Sequence, residues 1–203
     1  MFNFDDFLTR AQERLLPEPP MGWNHSDDDM NERARMIPSG VVTKPAAVLI
    51  GIVEREEPMV LLTKRQDHLA KHPGQIAFPG GRADTGETML QAALRETWEE
   101  VGLASQFVKP LGYCDGFLTV TRYIVTPVLA LVSPQSNLVA QTSEVAEIFE
   151  VPLAFLMNAK NCQTHSRDFK GLVRHFYVYP FGDRYIWGAT AGMIRNLYER
   201  LYA

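Results

Sequence analysis

Cysteine is scarce in this chain: two residues among 203, Cys114 and Cys162, far apart and forming no CxxC pair. That excludes a thiolate metal cluster, so any bound metal has to use oxygen or imidazole ligands, and it leaves at most one disulfide, between these two, as the alternative to free thiols. Free thiols fit a reducing cytoplasm, which is the expected compartment. Long apolar runs are also absent, and none approaches the roughly 20 residues needed to span a bilayer, so no membrane partner is expected. The N-terminus, MFNFDDFLTRAQERLLPEPP, is acidic and polar where a secretory leader would be basic and then apolar. Nor is there an excess of positive charge. Against 24 Asp plus Glu stand 20 Lys plus Arg, a formal net charge of -4. Such a chain offers no overall field for a polyanion, and nucleic acid is not an expected partner.

What is present is an ordinary globular composition, 46% hydrophobic and 22% charged, in a length that fits one domain with a full core. Phe4, Phe7, Leu8, Ala11, Leu15 and Leu16 recur at near-helical spacing and predict a short amphipathic helix over 4–16, stopped by Pro17, Pro19 and Pro20. From there to residue 43 the chain is polar and turn-rich, an irregular arm whose acidic run Asp27–Asp28–Asp29 reads as a solvated loop. The expected organisation is a single domain, 1–203, with helix and arm over 1–43 and the core over 44–203.

AAVLIGIV (46–53) and MVLLT (59–63), with EREEP between the runs, predict a strand, a turn and a strand. RYIVTPVLALV (122–132) is another strand, in which Pro127 marks an edge or a bulge. Residues 144–153 and 173–181 alternate as strands do, and 189–201 close the chain as a helix. Strands mixed with a few helices, without a βαβ period or an internal repeat, predict an α/β fold with a mixed sheet between helices.

The most informative stretch is GGRADTGETMLQAALRETWEEVGL, residues 80–103. Good helix formers run from Thr88 to Gly102, the usual kind of stop. At about 100° per residue, Glu96, Glu99 and Glu100 share one arc of the helix, and Leu90, Ala93, Leu94 and Val101 share the next. Like charges at these spacings repel, and anions near a helix C-terminus oppose the macrodipole. A Glu-rich face is ordinarily just solvated. Here Arg95 is expected to point away, leaving no cation at helical spacing to neutralise the ridge. Hard divalent cations seek such oxygen ligands, together with water and substrate phosphates.

In register, Gly81, Glu87, Arg95, Glu96, Glu99, Glu100 and Gly102 fit the pattern G-x5-E-x7-R-E-U-x-E-E-x-G-U, with U a bulky aliphatic residue. Leu103 satisfies the last U, and Thr97 departs from the first, leaving only a γ-methyl to pack there. The chain thus resembles the Nudix hydrolase superfamily. The resemblance implies an α/β/α sandwich and a metal-dependent diphosphatase, a hydrolase of phosphoric anhydride bonds, using Mg²⁺ or Mn²⁺. It implies Glu96, Glu99 and Glu100 as metal ligands, with the Gly80 carbonyl joining them. Glu87 and Arg95 would pair to orient loop against helix, with Gly81 and Gly102 structural.

Immediately upstream, LLTKRQDHLAKHPGQIAFPGG (61–81) concentrates Lys64, Arg65, His68, Lys71 and His72 in an otherwise acidic chain. Such a cluster suits a phosphate-rich ligand, Arg giving bidentate and Lys point-charge contacts. The segment is similar to the signature LLTxR(S/A)x3Rx3Gx3FPGG of the coenzyme A diphosphatase branch. Leu61, Leu62, Thr63, Arg65, Gly74 and Phe78–Gly81 match, while Gln66 replaces Ser/Ala and Ala70 replaces the second Arg. This similarity implies hydrolysis of coenzyme A or a derivative to adenosine 3′,5′-bisphosphate and 4′-phosphopantetheine. Arg65, His72, Gln75 and Lys71 are the substrate-contact candidates, while Trp187 reads as core packing.

Other Nudix specificities stay open: nucleotide sugars, dinucleotides or oxidised nucleotides. So does a non-catalytic binding domain on the same fold. Either way the partner is a small molecule, and the oligomeric state is open, a homodimer included. For the catalytic base, carboxylates bound to metal are poor candidates because the cation stabilises their ionised form. Glu144, at a loop–strand junction, is the first candidate and Glu147 the alternate; Glu150 shares the face of Glu144 farther along the strand. Since some Nudix enzymes use a box carboxylate, Glu96 and Glu99 remain on the catalytic list.

Overall fold

The computed structural model describes residues 2–31, 42–69, 72–169 and 171–203. In chain order these form α1 (Phe4–Arg14), β1 (His25–Ser26), β2 (Lys44–Val53), β3 (Met59–Arg65), β4 (Ile76–Ala77), β5 (Gly80–Arg82) and α2 (Met89–Val101). There follow β6 (Val108–Tyr113), β7 (Phe117–Leu118), β8 (Tyr123–Val132), β9 (Val145–Pro152) and the short α3 (Leu153–Leu156). Last come β10 (Gln163–Phe169), β11 (Leu172–Phe181), β12 (Arg184–Trp187) and α4 (Ala189–Tyr202).

The large sheet is mixed. Its path runs β1-β7-β8-β2-β3-β4, with β5 also on β2, β6 on β8 and β9 on β3. Its central ladder is parallel, β2 to β8, from Lys44 opposite Tyr123 to Val53 opposite Val132. Both faces of these strands are apolar, so their period-2 alternation feeds two cores at once. Ala46, Ile50, Ile52, Val60, Leu62, Val125, Leu129 and Leu131 point to the core shared with α1 and α4. Ala47, Leu49, Val53, Leu61, Val128, Ala130 and Val132 point to the core shared with α2. The architecture is α/β with helices on both sides of a mixed sheet, as the alternation of elements predicts.

Helix α1 is capped by Asn3, whose side chain accepts from the Asp6 N–H, and it ends at Arg14, short of residue 16. It ends there because Leu16 turns into a bridge with Tyr113. Arg10 and Arg14 then donate to the Leu201 and Ala203 carbonyls at 3.2 Å each. The first helix thereby caps the last, whose terminal carbonyls have no partner of their own.

The structure departs from the sequence expectations at several places. Pro127 lies neither on an edge strand nor in a bulge but inside β8, opposite Val48 of β2. Its N and O face the side where β6 gives way to β7, and the Cys114 N–H reaches its carbonyl at 2.9 Å. At that handover no ladder bond needs the missing N–H. The acidic run is not a solvated loop. Asp27 accepts from the Val120 N–H, Asp28 pairs with Arg174, and Asp29 accepts from the Ser26 hydroxyl. Finally, β10 was not legible. Its polar sequence QTHSRDF lacks strand patterning and is held by antiparallel pairing with β11, which with β12 makes a separate three-stranded sheet. On that sheet Trp187 is 37% exposed, against Phe176 with ring centroids 5.4 Å apart, so it is not core.

Candidate active site

Helix α2 begins and ends by local chemistry. Thr88 and Gln91 form a reciprocal capping box, and Gly102, at φ 68°, closes the helix with its N–H on the Trp98 carbonyl. The buried face is Ala92, Ala93, Thr97, Glu100 and Val101; of the expected arc, Ala93 and Val101 are buried while Leu90 and Leu94 are only partly so. Thr97 fits because its hydroxyl donates to the Ala93 carbonyl at 2.6 Å, leaving the γ-methyl for the core.

The burial of Glu100 among these residues follows from its neighbour β5. That strand lies antiparallel on β2, with Gly80 opposite Val48 and Gly81 opposite Ala47. The Gly80 N–H donates to Glu100 Oε2 at 3.2 Å. Gly81 leaves room for the Glu96 carboxylate, into which any Cβ there would intrude. Both carboxylates are therefore drawn against β5, while Glu99 stands half exposed.

Arg95 does not point away from the ridge, and this is a further correction. Its Nε and Nη2 grip Glu87 at 2.7 and 2.9 Å, and Nη1 reaches Glu96 Oε1 at 2.8 Å and Glu99 Oε2 at 3.2 Å. Nη2 also donates to the Arg82 carbonyl. The guanidinium has a planar fork of donors, long enough to serve the loop and the ridge together. Arg95, with the Asp84 N–H, holds the Glu87 carboxyl down at about 2.

Burial is the chief cause that pushes Glu100 up to about 7. The Gly80 N–H and Arg65 oppose the rise, and Glu96 and Glu144 add repulsion. Burial likewise raises Glu96, against its Arg95 bond and with repulsion from Glu99 and Glu144. Glu144 thus lies close enough for both inner carboxylates to feel its charge.

Arg65 ends β3 with Nη1 3.9 Å from Glu100 Oε1, and its Nε is buried without a partner among the described residues. Gln75 accepts at its carbonyl from the Arg65 N–H at 3.0 Å. A Cβ on Gly188, just before α4, would lie 3.7 Å from the Gln75 side-chain nitrogen. His72 is exposed, at a left-handed φ of 55°. Lys71 lies outside the described residues. Glu147 is engaged elsewhere: Arg184 binds both its oxygens at 2.6 and 2.8 Å and stacks over Phe149. Glu150 pairs with Arg55.

The structure therefore brings Arg65, Gly80, Glu96, Glu100 and Glu144 together and leaves His72 and Glu147 aside. Gln66 also belongs here, though the sequence marks it only as a departure from the coenzyme A diphosphatase pattern. An open groove of about 730 Å³ lies on the outer side of α2, between Thr85, Leu94, Trp98 and Ser105. It meets the site at Glu87 and Arg95 alone and holds none of the ridge carboxylates.

Among the described residues, no three His, Cys, Asp or Glu side chains converge as a closed metal cage. The donor set is oxygen throughout: two inner carboxylates repelling each other in a partly buried setting. Mg²⁺ characteristically takes one or two carboxylates and fills its shell with water and substrate phosphates. An open carboxylate ridge suits that habit.

A family model described as NUDIX domain matches residues 42–170. The protein described as uncharacterized Nudix hydrolase NudL from Enterobacter sp. (strain 638) is 38% identical over 196 residues, 96% of this chain and 93% of that one. The one so described from Yersinia pestis (strain Pestoides F) is 36% identical over 199 residues, 97% and 94% of the two chains. Among solved structures, a MutT/nudix family protein from Enterococcus faecalis superposes with a TM-score of 0.49 at 17% identity, over 83% of this chain and 66% of that chain. A C. elegans Ap4A hydrolase does so with a TM-score of 0.47 at 20% identity, over 55% and 82%.

Proposed function

The chain belongs to the Nudix hydrolases, and on that premise we propose that it cleaves the diphosphate bond of coenzyme A or its derivatives, with Mg²⁺ or Mn²⁺ as cofactor. The products would be adenosine 3′,5′-bisphosphate and 4′-phosphopantetheine. The observation that carries this reading is the placement of Arg65. The segment resembling the coenzyme A branch delivers a guanidinium beside the innermost ridge carboxylate, its side chain still 30% exposed. A phosphate oxygen would meet the exposed end of that fork, and a charged acceptor suits it best.

Nudix hydrolases generally use divalent metal ions. Glu96 and Glu100, with Glu99 and the Gly80 carbonyl, are the residues that would hold one here. A divalent cation in that place would neutralise charge on the diphosphate and lower the pKa of an attacking water. The chain's own residues do the rest. Arg65 and Gln75 orient the phosphates. Arg95 holds the ridge in place through Glu87 and Glu96. Glu144, exposed at its turn and bonded to no cation among the described residues, is the proposed base that takes the proton from water. Its place outside the ridge leaves it a freer acceptor than Glu96 or Glu99. The expected setting is the cytoplasm, where its two free cysteines would stay reduced.

The deciding experiment is product identification by mass spectrometry after incubation with coenzyme A and Mg²⁺ or Mn²⁺. It is run beside a panel of nucleotide sugars, dinucleotides and oxidised nucleotides. Appearance of the two named products, with the highest kcat/KM for coenzyme A, supports the proposal. A panel member turned over far better than coenzyme A overturns the substrate and keeps the reaction class.

A further inference from the structure

The turn that carries Glu144 is fastened at two ends. On one side it meets the exit of α2, whose last carbonyls lack intrahelical partners. The Val139 N–H takes the Val101 carbonyl and the Gln141 N–H takes the Glu100 carbonyl, each at 2.9 Å. The turn then closes on itself, with the N–H groups of Glu144 and Val145 both on the Gln141 carbonyl.

On the other side stands Gln66, the residue after β3. Its backbone N–H donates to the Glu144 carbonyl at 2.9 Å. Its side-chain amide donates to the carbonyls of Thr142 at 2.9 Å and Val145 at 3.3 Å. One residue thus holds three carbonyls that bracket Glu144. The β3–β9 ladder slips register immediately before it, so that Lys64 faces Glu147 while Arg65 faces Val145. Such a bulge re-aims the backbone beside it and loosens ladder pairing there. Ser or Ala at position 66 could not span two carbonyls, and glutamine can.

From this geometry, and resting on the reading of Glu144 as the base, we propose that Gln66 is a positioning residue. It clamps the Glu144 turn onto the strand end that carries Arg65, so that substrate contact and proton acceptor share one frame. The same bonds link the backbone of Glu100, Gln141, Glu144 and Gln66 in series, ending beside Arg65.

The test is a double-mutant cycle on the full chain, using coenzyme A and Mg²⁺, or the panel member turned over fastest. Gln66→Met keeps volume and the backbone bond but removes the amide donors; Gln66→Ala serves if the first variant does not fold. The expected result is a fall in kcat of about tenfold or more, the scale at which misplaced catalytic groups act, with KM nearly unchanged. In a Glu144→Gln background the same change should have no further effect on kcat. Equal losses in both backgrounds, or a lower melting temperature with kcat intact, overturn the clamp while leaving the base assignment standing. Full kcat in Glu144→Gln alone overturns the base assignment, and the clamp with it.

Discussion

A Cβ placed on Gly81 would stand 2.5 Å from the carboxyl carbon of Glu96. Strand β5 and helix α2 therefore meet through the absence of a side chain, and the position of the inner carboxylate depends on it. Gly81→Ala should push Glu96 off the strand without exposing new apolar surface. The expected outcome is a loss in kcat of about 10- to 100-fold, the cost of roughly an ångström of misplacement, with the far-UV spectrum unchanged. Steady-state kinetics beside circular dichroism check it; full activity in the variant would mean that Glu96 has no fixed role.

Glu100→Gln keeps an acceptor for the Gly80 N–H and removes one of the two inner charges. The fold should survive, with turnover down by orders of magnitude. In the parent chain, Mg²⁺ or Mn²⁺ at a hundredfold excess over Kd should raise the melting temperature by about 5–10 °C. The variant should gain little. A thermal-shift titration reads this without any assay of activity, and an equal gain in both proteins would place the metal elsewhere.

Arg65→Ala should lower kcat/KM by about 10- to 100-fold, in keeping with the roughly 1.5–3 kcal/mol of a charge-assisted contact. The loss should be larger for coenzyme A than for a dinucleotide without the 3′-phosphate. Because Arg65 also lies near Glu100, Arg65→Lys is the control that keeps the charge and loses the fork. Identical losses on both substrates would mean that Arg65 reads the diphosphate common to them.

Asp27, far from the ridge, gives the pH prediction. Burial is the main cause lifting its carboxyl from 3.8 to about 6, opposed by the Val120 N–H. A folded-state value above the unfolded one means the folded chain holds the extra proton. The stability this confers is full below pH 3.8 and is lost as pH rises through about 6. Asp27→Asn, which still accepts from Val120, should therefore melt about 2–4 °C above the parent at pH 8 and match it near pH 4. The same offset at both pH values would contradict the assignment.

Much of this was readable from residue order because it is local. The Thr88 cap, the Gly102 stop and the shared arc of Glu96 and Glu100 all follow from one helix and its period. The two-sided burial of β2 and β8 follows from unbroken apolar runs. What was hidden depends on distant partners. Arg95 was assigned by its angle on the helix, but a side chain of that length bends back across neighbouring turns to Glu96 and Glu99. Strand β10 takes its conformation from β11, and Trp187 lies open because its strand belongs to a second sheet. Gln66 showed only as a departure from a pattern, since its role is set by a turn brought to it from the other side of the site.

The parallel pairing of β2 with β8 has a consequence for the order in which the molecule can assemble. Lys44 must find Tyr123, and Val53 must find Val132, before the central ladder exists. Strand β5 and helix α2 lie in the stretch of chain between those partners. A nascent chain that has reached only Gly102 holds every ridge carboxylate and no β8 for β2 to pair with. Closing so long a loop is entropically slow, and non-local parallel pairing characterises slow folders. The sheet layer beneath the ridge is therefore expected to be completed only once β8 is available to β2.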